Sequence, residues 1–496
     1  MSVVAQAVSW TGIGRLVGQL TWFASLLVLA ALLPPRDFGT VAVGMAVLTV
    51  AILVMESGTG GGIIASETVT AGQLRASLLQ NFAVGVAATV ILILLADPLV
   101  HFFARGASPD VLKVMLLSVT FTALGIVPLA LLNKSLQFKR RAQATIGAGV
   151  ISAIVAVVTA LAGGGVWSLV VRLVLHQALL TGFAWIAVRD LWPRRATRDR
   201  DLNFRRTGAS WFLIMAVANF AAFSLLNLVV GRIAGVAQLG LYSLAFLLAF
   251  APLTQISWQI GGVLFPAIAA TSDRERVRTR TVKSLRLLAL LLLPLAPPGV
   301  ALAPVVFPAV LGEEWSGMVL PFQIMLLAGI GHAILNVFGE TLAGTGNAAF
   351  RARAEVVWAA ATVGAAILLT SSDGIRGAAT AHLVTFLVLG LVYMARGVRL
   401  VGLSAAGLVG ELRGIVGCVG VQAAVTAAIA LGAKATGADD AVAAIAGTLA
   451  GAAAAGALLT RVERGALREL REVLTSVRQR RARPEPALVT GPGAGT

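Results

Sequence analysis

Apolar positions along the chain come in long blocks, and polar positions gather between them. Fourteen blocks can be drawn, over roughly 11–33, 38–62, 77–97, 111–132, 143–162, 166–188, 207–231, 238–264, 286–310, 318–342, 354–371, 375–395, 411–433 and 438–460. About 20 apolar residues are enough to cross the hydrocarbon core of a bilayer as a helix. Barrel strands would alternate polar and apolar residues, and these blocks do not. The pattern predicts an all-α polytopic membrane protein with about fourteen transmembrane helices. Composition agrees: 58% of the 496 residues are hydrophobic and 12% are charged, where a soluble protein carries about twice that charge. Residues 1–10 show no basic leader, and the first block is long enough to stay as a span. The single cysteine, Cys418, lies in an apolar block and reads as a small core residue.

The segments between blocks fall into two sets. With both termini cytoplasmic, the inner set holds Arg75, the cluster Lys134, Lys139, Arg140 and Arg141, and "RDLWPRRATRDRDLNFRR" (189–206). It also holds "RERVRTRTVKSLR" (274–286), Arg351 with Arg353, Arg396 with Arg399, and the basic tail. The outer set, including "PPRDFG" (34–39), "GGGVW" (163–167) and "GEEW" (312–315), is poor in Lys and Arg. Cytoplasmic loops keep Lys and Arg, so this asymmetry fixes the expected orientation. The net charge of +17 is spread over many loops with no aromatic-rich domain to stack bases. It therefore points to anionic inner-leaflet lipid and away from nucleic acid.

A repeat underlies the spans. Ser9-Trp10 and Ser210-Trp211 open the first and seventh, 201 residues apart; Gly39 and Gly240 follow them at the same offset. "GGII" (61–64) and "GGVL" (261–264) end the second and eighth, and "FKRRAQ" (138–143) matches "FRARAE" (350–355). Gly165 and Gly374 precede the sixth and twelfth. The offset covers six spans, an even number, so the halves insert in the same orientation as parallel repeats. This predicts a six-helix lobe over 1–190, a basic linker over 191–206, a second six-helix lobe over 207–398, and two added spans over 399–460. A basic, partly disordered tail covers 461–496, with an amphipathic stretch suited to the membrane interface. Two parallel lobes around a central cavity suit transport by rocking.

Ionisable residues inside spans are costly and are candidates for function. Arg15 in the first span and Glu56 in the second lie at similar expected depth, about 18 residues or roughly 27 Å from the outer ends. They read as a structural pair, or Arg15 snorkels to the interface, or Arg15 faces the cavity and helps capture an anionic group, Gln19 adding a hydrogen bond from the same face one turn on. Arg172 and His176 share a face of the sixth span. His332 falls near the middle of the tenth span and Glu340 nearer its inner end; interhelical hydrogen bonding is the competing role for such groups and for Asn219 and Asn227. Enzyme motifs are missing: no HExxH, no GxxxxGK[ST], no nucleophile elbow and no metal-spaced His/Cys cluster. The chain reads as a non-enzyme with no cofactor and no metal, and without an ATP site any coupling must use a gradient. Five prolines in "LPLAPPGVALAPVVFP" (293–308) predict a broken ninth helix.

Several stretches occur in a familiar order: "LAALLPPRDFG" after Arg15 and Gln19, "MESGTGGGII", "PLALLNKSLQFKRRA", "GGGVWSLV", "GRIAGVAQLGLYSLAF", "GGVLFPAIAAT", "LGEEW" and "LAGTGN". Together they resemble the polysaccharide transporters of the multidrug/oligosaccharidyl-lipid/polysaccharide exporter superfamily. Within it the chain is most similar to Wzx-type lipopolysaccharide and exopolysaccharide flippases of the colanic-acid kind, over nearly residues 5–400. The resemblance implies a polyprenyl-diphosphate-linked oligosaccharide moved from the inner to the outer leaflet of a bacterial plasma membrane. It adds membrane lipids, a polysaccharide polymerase and other assembly proteins as partners. Arg15 matches the basic position of the family's first span. The cavity candidates are Arg15, Gln19, Glu56, Arg172, His176 and His332. Lys139, Arg141, Arg351 and Arg353 form a candidate cationic inner rim, equivalent points of the two lobes. A cation-coupled drug exporter of the same superfamily is the alternative, with only Glu56 and Glu340 to serve as its intramembrane acids. A membrane glycosyl ligase would want a large outer loop that the chain lacks.

Overall fold

The computed structural model describes residues 3–55, 59–66, 69–103, 106–192 and 209–462. The first half contains α1 (Val3–Leu32), α2 (Pro35–Met55), α3 (Ala71–Leu94), α4 (Pro109–Lys134), α5 (Phe138–Leu161) and α6 (Val166–Ala187). The second opens with α7, made of Ala209–Phe220 and Leu226–Ala234 joined by a π-helical turn, and α8, made of Val236–Ala249 and Ala251–Ala269. It continues with α9 (Arg274–Leu292 and Ala296–Leu311), α10 (Val319–Leu342), α11 (348–372) and α12 (375–400). The chain then adds α13 (Ala405–Ala435) and α14 (Asp440–Val462). None of the described residues forms a strand.

These helices follow the fourteen apolar blocks. Among the described residues eleven stretches are long and apolar enough to cross a membrane, and the longest, Glu313–Leu400, is three passes in one. It turns at Thr345–Gly346 and again at Asp373–Gly374, where Gly346 and Gly374 hold φ of 84° and 56°. Glycine takes that left-handed backbone without a Cβ penalty. In α1 the apolar stretch is Val17–Leu32. The protein is a multi-pass membrane protein.

Two local features differ from, or refine, the sequence pattern. "RERVRTRTVKSLR" was expected as a loop, but it is the first part of α9. Asp273 caps that helix by accepting from the Glu275 amide (2.9 Å), and Val277, Thr281 and Leu285 bury one face at helical spacing. Charge sets where the apolar block begins, whereas the cap and the buried face set where the helix begins. The proline-rich ninth span breaks as expected, at a 3₁₀ turn over Leu293–Leu295. The carbonyl of Pro294 accepts from Gln422 of α13 (3.1 Å), which satisfies backbone freed by the break.

Packing repeats between the halves. In the first, α1 packs on α5, α4 on α6, α3 on α4 and α2 on α4; in the second, α7 packs on α11, α10 on the α11–α12 pair, α9 on α10 and α8 on α10. Helices α13 and α14 pack on each other and on α9. At their crossing Gly447 and Gly451 lie against the carbonyls of Thr426 and Gln422.

The halves meet through α2 and α8. A Cβ placed on Gly39 would fall onto the Val236 carbonyl oxygen, and one on Gly240 would fall onto the Pro35 carbonyl oxygen. Both pairs keep the 201-residue offset, so the contact is reciprocal, as an axis passing between two parallel repeats requires. Glycine lets the backbones approach this closely and places each Cα over a carbonyl of the other helix. Around it lies a core shared by both halves. Its buried members from the first half are confined, among the described residues, to the stretch from Leu26 to Ala46 plus Ala156 and Leu169, all near the α1–α2 turn. Phe38 joins the seal by meeting the fully buried Trp315 edge to face at 5.3 Å. Toward the α4–α5 turn the first half keeps a core of its own, around Ile63, Leu74, Val127 and Leu132. The halves are therefore sealed at one end of the molecule.

Candidate functional site

A polar cavity lies inside the second half. It measures about 270 Å³ and is walled by α7, α8, α10, α11 and α12. Helical spacing assembles it: His332, Asn336 and Glu340 follow one another at four-residue steps on α10, and Arg351 and Glu355 do so on α11. Leu389 and Tyr393 repeat the step on α12, and Met215 and Asn219 on α7. Residues four apart share a helix face, so all four helices turn these groups to one space.

At its floor, Arg351 sits between two carboxylates. Its Nη1 lies 3.1 Å from Glu340 and its Nε donates to Glu355 at 2.9 Å. All three side chains are largely buried, at 13%, 15% and 6% exposure. Glu355 also accepts from Asn219 (2.8 Å) and from the Tyr393 hydroxyl (3.2 Å), and Arg351 reaches Asn336 (3.4 Å). Three donors on one carboxylate tie α7, α11 and α12 together. Buried charge is tolerated only with such pairing. The cluster carries two carboxylates against one guanidinium, so it has no surplus of positive charge.

The wall near His332 is aromatic. Its ring lies 4.1 Å from that of Phe386 and stacks on Phe250 at 5.7 Å. Behind it His382 is fully buried among Phe223, Phe246, Phe250 and Phe386, and neither ring nitrogen has a hydrogen-bond partner among the described residues.

The other residues singled out from the sequence fall elsewhere. Arg172 of α6 donates to the Trp22 carbonyl (3.0 Å) and lies over the Trp22 ring, so it braces α1 against α6. His176 faces the Ala148 backbone of α5. Gln19 is exposed on α1. Glu56 and the side chain of Arg15 lie outside the described residues, as do residues 193–208 of the basic linker and the tail from 463. The cluster at 134–141 is largely tied to its own half. Lys134 donates to the Ser66 carbonyl, and Arg140 binds both oxygens of Asp190 (2.6 and 2.9 Å) and the Ala187 carbonyl. Those bonds hold the Asp190 carboxyl below the usual carboxylate range. Arg141 donates to Asn133, while Lys139, Arg141 and Arg353 are all exposed. Of the four rim candidates, Arg351 alone lines the cavity, beside His332. Sequence reasoning passed over Glu355, Tyr393, Asn336, Trp258 and His382. The four-residue step from Arg351 to Glu355 was the available signal.

The family described as polysaccharide biosynthesis protein matches residues 28–320. Among curated relatives, a succinoglycan biosynthesis transport protein of Rhizobium meliloti is 26% identical over 372 residues, 73% of each chain. A lipopolysaccharide biosynthesis protein of Escherichia coli is 24% identical over 347 residues, 67% of this chain and 68% of that one. Among solved structures, the inward closed conformation of the lipid II flippase MurJ superposes with a TM-score of 0.69 at 12% identity. It covers 91% of this chain and all of its own. An inward-facing multidrug resistance transporter of the MATE family reaches 0.59 at 16% identity, covering 80% and 98%. These two structures share the fold of this chain, and with a family match over more than half its length the chain belongs to the polysaccharide biosynthesis protein family.

Proposed function

We propose that the protein flips a polyprenyl-diphosphate-linked oligosaccharide from the inner to the outer leaflet of a bacterial plasma membrane, without chemical conversion. The observation that carries this is the reciprocal Gly39–Gly240 crossing, which joins two parallel six-helix halves at one end. Parallel halves hinged on such an axis can rock, and rocking exposes one central space to either side in turn. The need for a protein is physical. A diphosphate and several sugars entering hydrocarbon unaided would cost tens of kcal/mol by solvation arguments.

The Lys- and Arg-rich loops support an α4–α5 turn and termini on the cytoplasmic side. The sealed α1–α2 end would then be the outer one. Lys139, Arg141 and Arg353, exposed at the inner rim, would draw in an anionic head group. Arg15 and Gln19 on α1 are assigned to the diphosphate, with Arg172 bracing α1 from α6, His176 turned to α5, and Glu56 as the counter-ion of Arg15. Relatives named for polysaccharide and lipopolysaccharide biosynthesis support this reading over drug export. A polymerase and other assembly proteins would take the product at the outer face.

The test is reconstitution in vesicles with a fluorescent lipid-linked oligosaccharide from the producing bacterium. The expected result is leaflet transfer well above that of protein-free vesicles. Equal rates in the two would overturn the proposal.

A further inference from the structure

We propose that the cavity between α7, α8, α10, α11 and α12 is a subsite for a single sugar ring of the transported glycolipid, and that it turns the diphosphate away. This rests on the flippase reading and adds where, and by what chemistry, the glycan is held.

Charge argues first. Arg351 is the cavity's guanidinium, and Glu340 and Glu355 already engage it at 3.1 and 2.9 Å. A diphosphate placed here would meet two carboxylates and no unpaired cation. A sugar hydroxyl has no such difficulty, because it both donates and accepts. Carboxylates are pure acceptors with about four lone-pair sites each, and an amide offers both roles. Glu340 thus keeps acceptor capacity beyond its contact with Arg351, and Asn219 lines the same cavity, its amide nitrogen donating to Glu355 and to the Met215 carbonyl.

Shape argues second. Trp258 lines the cavity and is 51% exposed, on the Ala251–Ala269 part of α8. An exposed aromatic face beside hydrogen-bonding groups suits the C–H face of a pyranose, whose hydroxyls point outward around its edge. The volume of about 270 Å³ falls just under the roughly 300–1,000 Å³ of pockets for drug-sized ligands. It holds one ring, and the remaining glycan stays in the space between the halves. Position argues third. Asn219 lies on the Ala209–Phe220 part of α7, which touches α2 of the first half, and Trp258 follows on Ala251–Ala269, past the part of α8 that crosses α2.

The experiment uses the full-length protein in nanodiscs. Binding is measured for bare polyprenyl diphosphate and for the same lipid carrying one glucose, galactose or N-acetylglucosamine. The wild type should bind at least one glycosylated lipid about tenfold more tightly than the bare lipid, the scale of a single aromatic anchor. Trp258→Ala should remove most of that preference without changing affinity for the bare lipid, and Trp258→Phe should restore it. Trp258 is exposed enough that its loss leaves the core intact. A wild type with no preference for any sugar, or a preference that survives Trp258→Ala, would overturn the subsite while leaving leaflet transfer untouched. Failure to bind or move any of these lipids, or the native glycolipid, would instead remove the flippase reading itself.

Discussion

Residues 138–143 and 350–355 are the same place in two copies of one fold, and they do different things. Each opens a helix, α5 or α11, beside the preceding helix of its half. In the first copy Lys139 and Gln143 are exposed, and of the two cations between them Arg140 is spent on Asp190 just past α6 and Arg141 on Asn133. In the second copy Arg351 and Glu355 turn inward, pair at 2.9 Å and organise a polar cavity. The change is small: a carboxylate in place of an amide four residues on, with a second carboxylate, Glu340, delivered by α10. The packing repeats between the halves, down to the reciprocal glycines, while their interior chemistry differs.

The sharpest way to break the comparison is to remove the equivalent cations. Arg351→Ala strands two buried carboxylates and should cost about 3–5 kcal/mol, read as a large drop in the melting temperature of the detergent-purified protein. Lys139→Ala, at an exposed site, should stay within about 0.5 kcal/mol of wild type. Equal losses would mean that the two sites are not different in kind. Next come the glycines. Gly39→Ala and Gly240→Ala each push a methyl onto a carbonyl of the other half. Both should lower transport by about tenfold or more, for a gate that must close to tight packing, and to a similar extent because the contact is reciprocal. Gly18→Ala, with open space around the added carbon, should leave transport unchanged. The smallest effect is expected from copying the second half onto the first. Lys139→Arg with Gln143→Glu makes an exposed pair four residues apart and should add no more than about 0.5 kcal/mol. A large gain would show that the first half was poised to build the same cluster.

Much of the fold was legible because membrane helices must satisfy their own backbone and stay apolar for about 20 residues. That constraint writes itself into contiguous sequence, as in the blocks that became α3 to α6. The repeat was legible for the same reason: Gly39 and Gly240 kept their spacing because backbone contact leaves no room for drift. Their meeting one another was not legible, since an offset reveals equivalence and says nothing of contact. The polar cavity was half legible. His332, Asn219, Glu340 and Arg351 each stood out as charge or amide within or beside an apolar block. Glu355 and Tyr393 did not, because their role comes from three helices converging on one carboxylate. The start of α9 misread as a loop shows the opposite limit, where a charged stretch hides a buried face of Val277, Thr281 and Leu285.

The most direct test of a hinged, two-half transporter is whether the sealed end opens during transport. Val43 is 1% exposed and lies beside the glycine crossing, against Gly231 of the second half. In a Cys418→Ala background, Val43→Cys supplies a single, nearly isosteric thiol. In vesicles without substrate it should resist a membrane-impermeant maleimide, and addition of the native lipid-linked oligosaccharide should make it reactive from the α1–α2 side. A thiol that stays protected while the lipid is being transferred, or one that reacts equally with and without it, would contradict the account.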